Sequence, residues 1–102
     1  DTTNGIGFIE RPDETLSSFL PRLLSVHIKD YRIFKVEAGY ELRGCVLGEG
    51  WLDYRGMLEQ VLSERPDSSI ILELTVRRSA DQKPEDVLYR ESEMIDESFR
   101  EL

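Results

Sequence analysis

The sequence predicts an α/β fold in which parallel strands are flanked by helices. Two nearly continuous apolar segments, residues 24–28 and 69–76, are typical of strands that are covered on both faces. Apolar residues at helical spacing precede, separate and follow these two segments. Strands that alternate with helices pair in parallel through right-handed crossovers, so the order of elements favours a helix-covered parallel sheet.

The N-terminal part begins as a loop and continues into a helix. Residues 1–9 mix Gly, Asn and Thr with apolar side chains, which predicts a loop with a short helical turn. Pro12 is tolerated in a first helical turn, where the acidic residues that follow it complement the helix dipole. Pro21 is expected to end the regular helix near Leu20, because a proline clashes with the preceding turn. The apolar face of this helix is Leu16, Phe19, Leu20 and Leu23.

A long connection follows the first strand. Residues 31–50 contain four glycines, and the polar–apolar alternation of residues 31–36 indicates that part of the segment is an irregular hairpin. Loops of this length are usually functional. Asp53 is the expected N-cap of the second helix, which ends before Pro66, and Pro84 begins the last helix.

Two strands are too few for a stable parallel sheet. Glu73 lies inside the second apolar segment, where a charge without partners would be costly. We therefore expect the chain to be the C-terminal piece of a larger α/β protein.

Composition excludes several functions. The chain has 102 residues, a net charge of -8 and a pI near 4.6, and an acidic surface repels nucleic acid. No apolar run approaches the roughly 20 residues that span a bilayer. Cys45 is the single cysteine and forms no internal disulfide, which suits a reducing cytoplasm, the location that we expect.

Three side chains are candidate metal ligands. His27 lies near the carboxyl end of the first strand, where α/β enzymes keep their chemistry, and Glu73 holds a similar place in the second. With Asp1 they form a mixed nitrogen and oxygen set, which favours Mn²⁺ and leaves Mg²⁺, Co²⁺ and Zn²⁺ open. The alternatives are a histidine satisfied by a backbone carbonyl and a Glu73 paired with Lys or Arg.

Four segments in this order resemble the C-terminal part of the sugar phosphate isomerase/epimerase family, the xylose isomerase-like TIM barrels. They are DTTN at 1–4, VHIKD at 26–30, LGEGWLDY at 47–54 and ILEL at 71–74. The resemblance implies a (β/α)₈ barrel of which residues 1–102 form the C-terminal segment, from the end of strand six through helix eight. Asp1, His27 and Glu73 then match the metal ligands of strands six, seven and eight. The strand-five glutamate of the family would lie upstream of residue 1.

The same resemblance implies an activity. The family catalyses isomerisation or epimerisation of sugars and sugar phosphates by removing a proton next to a carbonyl, with a metal stabilising the enediolate. Glu73 would be both ligand and acid/base. Lys29 shares a strand face with His27 and is a candidate substrate-binding residue, or it pairs with Asp30 or Glu49. Arg32 is a second candidate substrate-binding residue, at an offset from His27 that departs from the family's.

Other functions stay open at this point. A metal-dependent lyase such as an inosose dehydratase would use the same ligands, whereas a zinc phosphodiesterase would need more histidines and a basic face. The expected partner is a small-molecule sugar or sugar phosphate, with no nucleic acid and no membrane, and formation of a homo-oligomer is left open. A non-catalytic interaction domain would fold alone. We expect instead that residues 1–102 in isolation are molten or associating, which circular dichroism and unfolding curves would reveal.

Overall fold

The structure is a computed structural model that describes residues 1–102, and these divide into two compact units. The first unit comprises Asp1–Lys29 and Leu52–Glu73, and the second comprises Asp30–Trp51 and Leu74–Leu102. Along the chain the regular elements are a 3₁₀ helix Asn4–Phe8, α1 Pro12–Phe19, a 3₁₀ turn Leu20–Arg22, β1 Ser25–Ile28, β2 Asp30–Val36, β3 Gly39–Cys45, α2 Tyr54–Glu64, β4 Ser69–Leu72 and α3 Pro84–Glu101.

The two strands of the first unit pair in parallel, as the sequence predicted. Strand β1 lies beside β4, with His27 opposite Ile71 and Ile28 opposite Leu72. The Glu73 amide donates to the Ile28 carbonyl at 2.9 Å and extends the ladder by one bond. The strand predicted over residues 69–76 therefore ends early, because β1 ends at Ile28 and offers residues beyond Glu73 no partner.

Local signals set the helices of the first unit. Pro12 occupies the first turn of α1, and Pro21 lies in the 3₁₀ turn that follows it, as expected. The Asp53 side chain accepts from the Gly56 amide at 3.1 Å and caps α2. The buried apolar residues of this unit are Leu16, Leu20, Val26, Ile28, Leu52, Tyr54, Met57 and Val61.

The second unit contains a regular antiparallel hairpin. Strands β2 and β3 pair without interruption from Asp30 opposite Cys45 to Val36 opposite Gly39. The interpretation of residues 31–50 as a long connection with only an irregular hairpin is therefore wrong. Gly39 supports the tight turn with a φ of 125°, a conformation that glycine adopts without strain.

A buried hydrogen bond connects helix α3 to the segment that follows β3. The Leu47 amide donates to Ser98 Oγ at 3.0 Å, and both residues are fully buried. Loss of this acceptor would leave a buried amide unpaired and lower the free energy of unfolding by roughly 1–3 kcal/mol. None of the three α-helices is both long and apolar enough to cross a membrane.

Cys45 is expected to be unreactive in the folded protein. Burial, together with the nearby Asp30 charge, raises the pKa of its thiol to about 11. At pH 8 the thiolate fraction is then about 100-fold below that of an ordinary cysteine, so alkylation by iodoacetamide should slow by a similar factor. Peptide mapping by mass spectrometry would measure this, with the urea-unfolded protein as the control. Equal labelling rates in both states would contradict the prediction.

Candidate active site

The candidate site lies at the carboxyl end of the two parallel strands of the first unit. Val26 and Ile28 are buried, so the alternation of β1 turns His27 and Lys29 to the opposite face. Because His27 lies opposite Ile71, the residue two positions further along, Glu73, is on that same face. The sequence prediction that His27, Lys29 and Glu73 share a strand end is consistent with this register.

Hydrogen bonds to the free edge of β1 bring Asp1 to the same place. The Thr2 amide donates to the His27 carbonyl at 3.1 Å, and the Lys29 amide donates to Thr2 Oγ1 at 3.5 Å. Asp1 Oδ1 accepts from the amides of Thr3 and Asn4 at 2.8 and 3.1 Å, which fixes its carboxylate. Thr2 was not singled out in the sequence. It is buried, and its two hydrogen bonds to the end of β1 place the neighbouring Asp1.

Lys29 lies at the centre of the cluster. Its Nζ is 2.7 Å from Asp1 Oδ2 and 3.2 Å from Glu73 Oε1, and its side chain is only 17% exposed. The ammonium therefore neutralises part of the charge of two carboxylates. The sequence suggested Asp30 or Glu49 for an ion pair, and the structure pairs Lys29 with Asp1 and Glu73. Glu73 is likewise a paired charge and not an isolated one.

The imidazole of His27 completes the cluster. Its Nδ1 is 3.0 Å from Glu73 Oε2. A carboxylate can only accept, so Nδ1 is the donor of this hydrogen bond, and Nε2 takes no part in it. The side chains of His27 and Glu73 are 44% and 38% exposed, so this end of the cluster is open to a ligand.

The pH dependence of folding provides a test of these contacts. Hydrogen bonds from His27 and from Lys29 lower the pKa of Glu73 below its ordinary value of 4.5. A carboxyl with a lower pKa in the folded state stabilises the protein above pH 4.5, and the effect is lost as the pH falls through the lowered value. Glu73→Gln should therefore flatten the acid limb of the stability curve, measured by urea unfolding below about pH 5. An unchanged acid limb would contradict the contacts.

The chemistry of the donors can be compared with that of a divalent metal site. Two carboxylates and an imidazole are ligands that Mn²⁺ and its neighbours accept. In the described structure the positive charge between the carboxylates comes from Lys29, and no group of three or more His, Cys, Asp or Glu side chains is arranged around one metal position. The three side chains are of the types that bind such a metal. In the structure, however, the two carboxylates bind the Lys29 ammonium.

Arg32 belongs to the second unit. It lies on β2, and its guanidinium donates from Nε to the Glu49 carbonyl and from Nη2 to Glu49 Oε2, both at 2.9 Å. It thus has a carboxylate partner within its own unit. Its predicted role in substrate binding stays a prediction.

The first unit is thus an α/β arrangement in which carboxylate, imidazole and ammonium groups lie at the carboxyl end of two parallel strands, and side chains of these types can donate and accept protons. The chain is similar to 3-oxo-isoapionate decarboxylase of Pectobacterium atrosepticum, with 30% identity over 75 residues. This match covers 72% of the chain and 27% of the decarboxylase.

A second similarity is to the uncharacterized protein YihM of Escherichia coli, with 31% identity over 62 residues. It covers 61% of the chain and 19% of that protein. The chain thus spans about a quarter or less of the curated relatives it matches. No family model and no solved structure matches it. Over such short stretches the similarity hints at a superfamily and at no single activity.

Proposed function

We propose that the natural protein carrying this chain is a sugar-modifying enzyme that removes a proton next to a carbonyl, as an isomerase or epimerase does. The observation that carries the proposal is the cluster of Asp1, His27, Lys29 and Glu73 at one end of a parallel strand pair. Catalytic groups of α/β enzymes lie at such strand ends. We further propose that the chain forms the last part of a (β/α)₈ barrel.

Glu73 is the proposed acid/base. Its carboxylate is ionised at neutral pH, as an ordinary glutamate is, and can accept a proton from carbon, while the hydrogen bonds that lower its pKa hold it in place. Removing that proton places negative charge on the neighbouring carbonyl oxygen, and the Lys29 ammonium is a donor that can stabilise it. Lys29 is therefore the proposed substrate-binding residue of this cluster. His27 Nδ1 orients Glu73, while Nε2 is available to a substrate hydroxyl or to a metal.

The metal belongs to the proposal as well. If the Lys29 ammonium leaves the carboxylates that it now pairs with, Asp1, His27 and Glu73 would hold a divalent ion, with Mn²⁺ favoured. When bound, such an ion supplies Lewis-acid stabilisation of the oxygen that develops negative charge. The proposed substrate is a small sugar or sugar phosphate.

A decarboxylase is the second candidate function. The similarity to 3-oxo-isoapionate decarboxylase favours it over other lyases. Loss of carbon dioxide from a 3-oxo acid leaves an enolate, so the same oxygen must be stabilised as in proton abstraction. Lys29 would serve both reactions, whereas the proton that returns to carbon would come from water, because Glu73 is ionised at neutral pH.

One experiment separates the two functions. The natural protein, with and without added Mn²⁺, is incubated in D₂O with D-fructose, D-fructose 6-phosphate or 3-oxo-isoapionate, and both carbon-bound deuterium and released carbon dioxide are measured. An isomerase or epimerase introduces carbon-bound deuterium without releasing carbon dioxide. A decarboxylase releases carbon dioxide. A His27→Ala variant should lose both bound metal and turnover. A folded His27→Ala protein that kept both would refute the assigned site.

A further inference from the structure

Every carboxylate oxygen of the cluster in the first unit already accepts from a donor. Asp1 Oδ1 accepts from two backbone amides, and Asp1 Oδ2 is 2.7 Å from Lys29 Nζ. Glu73 Oε2 is 3.0 Å from His27 Nδ1, and Glu73 Oε1 accepts from Lys29 Nζ at 3.2 Å. One oxygen of each carboxylate is therefore held by Lys29.

Lys29 is kept close to these oxygens by its place in the fold. It follows β1 directly, and its amide donates to Thr2 Oγ1 at 3.5 Å. Its side chain is 17% exposed and that of Asp1 is 15% exposed, so little solvent separates the two charges. Both residues and Glu73 belong to the first unit. The ammonium is thus a tethered cation, whose local concentration at the carboxylates does not depend on the solution.

A divalent ion at the same carboxylates would meet this ammonium. A small divalent ion such as Mg²⁺ binds carboxylate oxygens at about 2.0–2.1 Å. Because Lys29 Nζ is 2.7 Å from Asp1 Oδ2, an ion bonded to that oxygen would lie within about 5 Å of the ammonium. Positive charges at this distance repel each other, and more strongly where solvent is partly excluded. The two cations therefore disfavour each other's binding.

We infer that Lys29 competes with a divalent ion for Asp1 and Glu73, so that the two carboxylates hold either the ammonium or the ion. The presence of an ion rests on the proposed function, whereas the occupation of both carboxylates by Lys29 rests on the contacts within the first unit. The exchange of cations would change Lys29 as well. Two carboxylates now engage its ammonium, and their release would leave all of its N–H donors available to a substrate.

The affinity of the natural protein for Mn²⁺ provides the first test. Withdrawal of the ammonium from two carboxylates is expected in about a tenth of the molecules or fewer, and the apparent affinity for an ion is reduced by that fraction. Lys29→Met removes the competing charge and should bind Mn²⁺ at least about tenfold more tightly, measured by electron paramagnetic resonance of the free ion.

Arg11→Met is the matched control for this test. It removes one positive charge from the same unit, at a side chain that is 71% exposed and paired with Asp13. Because solvent and salt screen an exposed charge, the affinity for Mn²⁺ should change by less than about twofold. Equal Mn²⁺ affinities of the parent and Lys29→Met would overturn the inference, and so would the absence of Mn²⁺ binding to both.

The second test needs no variant and reads Lys29 itself. Removal of a charge can tighten the binding of an ion without any competition, so displacement of the ammonium must be observed in the parent protein. NMR of the natural protein labelled with ¹⁵N-lysine reports the Nζ signal of an ammonium that carboxylates hold. Saturation with Mg²⁺ should shift or abolish the Lys29 signal. A Lys29 signal that Mg²⁺ leaves unchanged would overturn the inference, whether or not Lys29→Met folds.

Turnover separates this inference from the proposed function. If Lys29→Met binds Mn²⁺ more tightly and Mg²⁺ displaces Lys29 while none of D-fructose, D-fructose 6-phosphate and 3-oxo-isoapionate is turned over, the competition stands and the proposed function fails. If one of these compounds is turned over by proton exchange at carbon while the Mn²⁺ affinities are equal, the proposed function stands and the competition fails.

Discussion

Replacing Gly50 with alanine is expected to lower the free energy of unfolding of the natural protein by about 3 kcal/mol. The added methyl group would overlap Asp30 Oδ1 and the Tyr31 carbonyl oxygen. Neither can move without cost, because the Asp30 carboxylate is bound by three backbone amides and the Tyr31 carbonyl accepts from the Trp51 amide. Relief of the overlap must therefore break hydrogen bonds at a buried charge.

Urea unfolding monitored by circular dichroism measures this change, and Gly7→Ala is the matched control. Gly7 has no atom within 4 Å of an added Cβ, so its replacement should alter stability by less than about 0.5 kcal/mol. Amide exchange of residues 48–51 should accelerate in Gly50→Ala only. Equal stability of the two variants would show that Asp30 does not hold this segment as described.

The helices were predictable because their signals are local. Each signal acts within a few residues of its own position. Pro12 and Asp53 mark the beginnings of α1 and α2, and Pro21 lies in the 3₁₀ turn that follows α1. The parallel pairing of β1 with β4 followed from a similarly simple rule, that a helix between two apolar strands brings them side by side in parallel.

The hairpin was not predictable in the same way. Its strands carry Arg, Lys and Glu among the apolar residues, and four glycines in residues 31–50 are equally typical of a loop. Pairing across β2 and β3, and the hydrogen bonds that Asp30 accepts from the Gly48 and Gly50 amides, are long-range contacts that no local pattern reveals. An aspartate directly after a strand, followed later by Gly-Glu-Gly, was the available signal.

The sequence drew attention to the residues of the cluster and not to its central contact. Strand alternation placed Lys29 on the face of His27, and Glu73 was expected at a similar position in the second strand. The resemblance to a metal-dependent family drew attention to Asp1, His27 and Glu73 as ligands and gave Lys29 a secondary place. In the structure Lys29 is the group that joins Asp1 to Glu73. Electrostatics explains why: two carboxylates at one strand end require a cation, and an ammonium two residues from His27 is within reach.

This arrangement bears on how one cluster could serve either proposed reaction. In both reactions negative charge develops on an oxygen next to the reacting carbon, and both need a donor that is fixed before the charge develops. The Lys29 ammonium is held by two carboxylates. The choice between proton abstraction and loss of carbon dioxide would then depend on the substrate and on where Glu73 lies relative to its carbon.

In the natural protein, Glu73→Gln is expected to reduce kcat/KM by about 10³-fold, the range typical for loss of a general acid or base. The amide is close in size to the carboxylate and can still accept from Lys29 Nζ, so the fold should persist at neutral pH. It cannot take up a proton from carbon. Exchange of the substrate's carbon-bound hydrogen with D₂O should therefore fall in parallel with turnover, while KM changes by less than about threefold.

Glu41→Gln provides the comparison for Glu73→Gln, because Glu41 is also a carboxylate held by two cations, Arg43 and Arg77. Its replacement should leave turnover within roughly twofold of the parent. Lys29→Met adds a second line of evidence: it removes the ammonium while leaving the base, so turnover should fall by about 10²-fold or more. A folded Glu73→Gln protein that retained turnover within about tenfold of the parent would exclude Glu73 as the acid/base and leave Lys29 as the group on which catalysis depends.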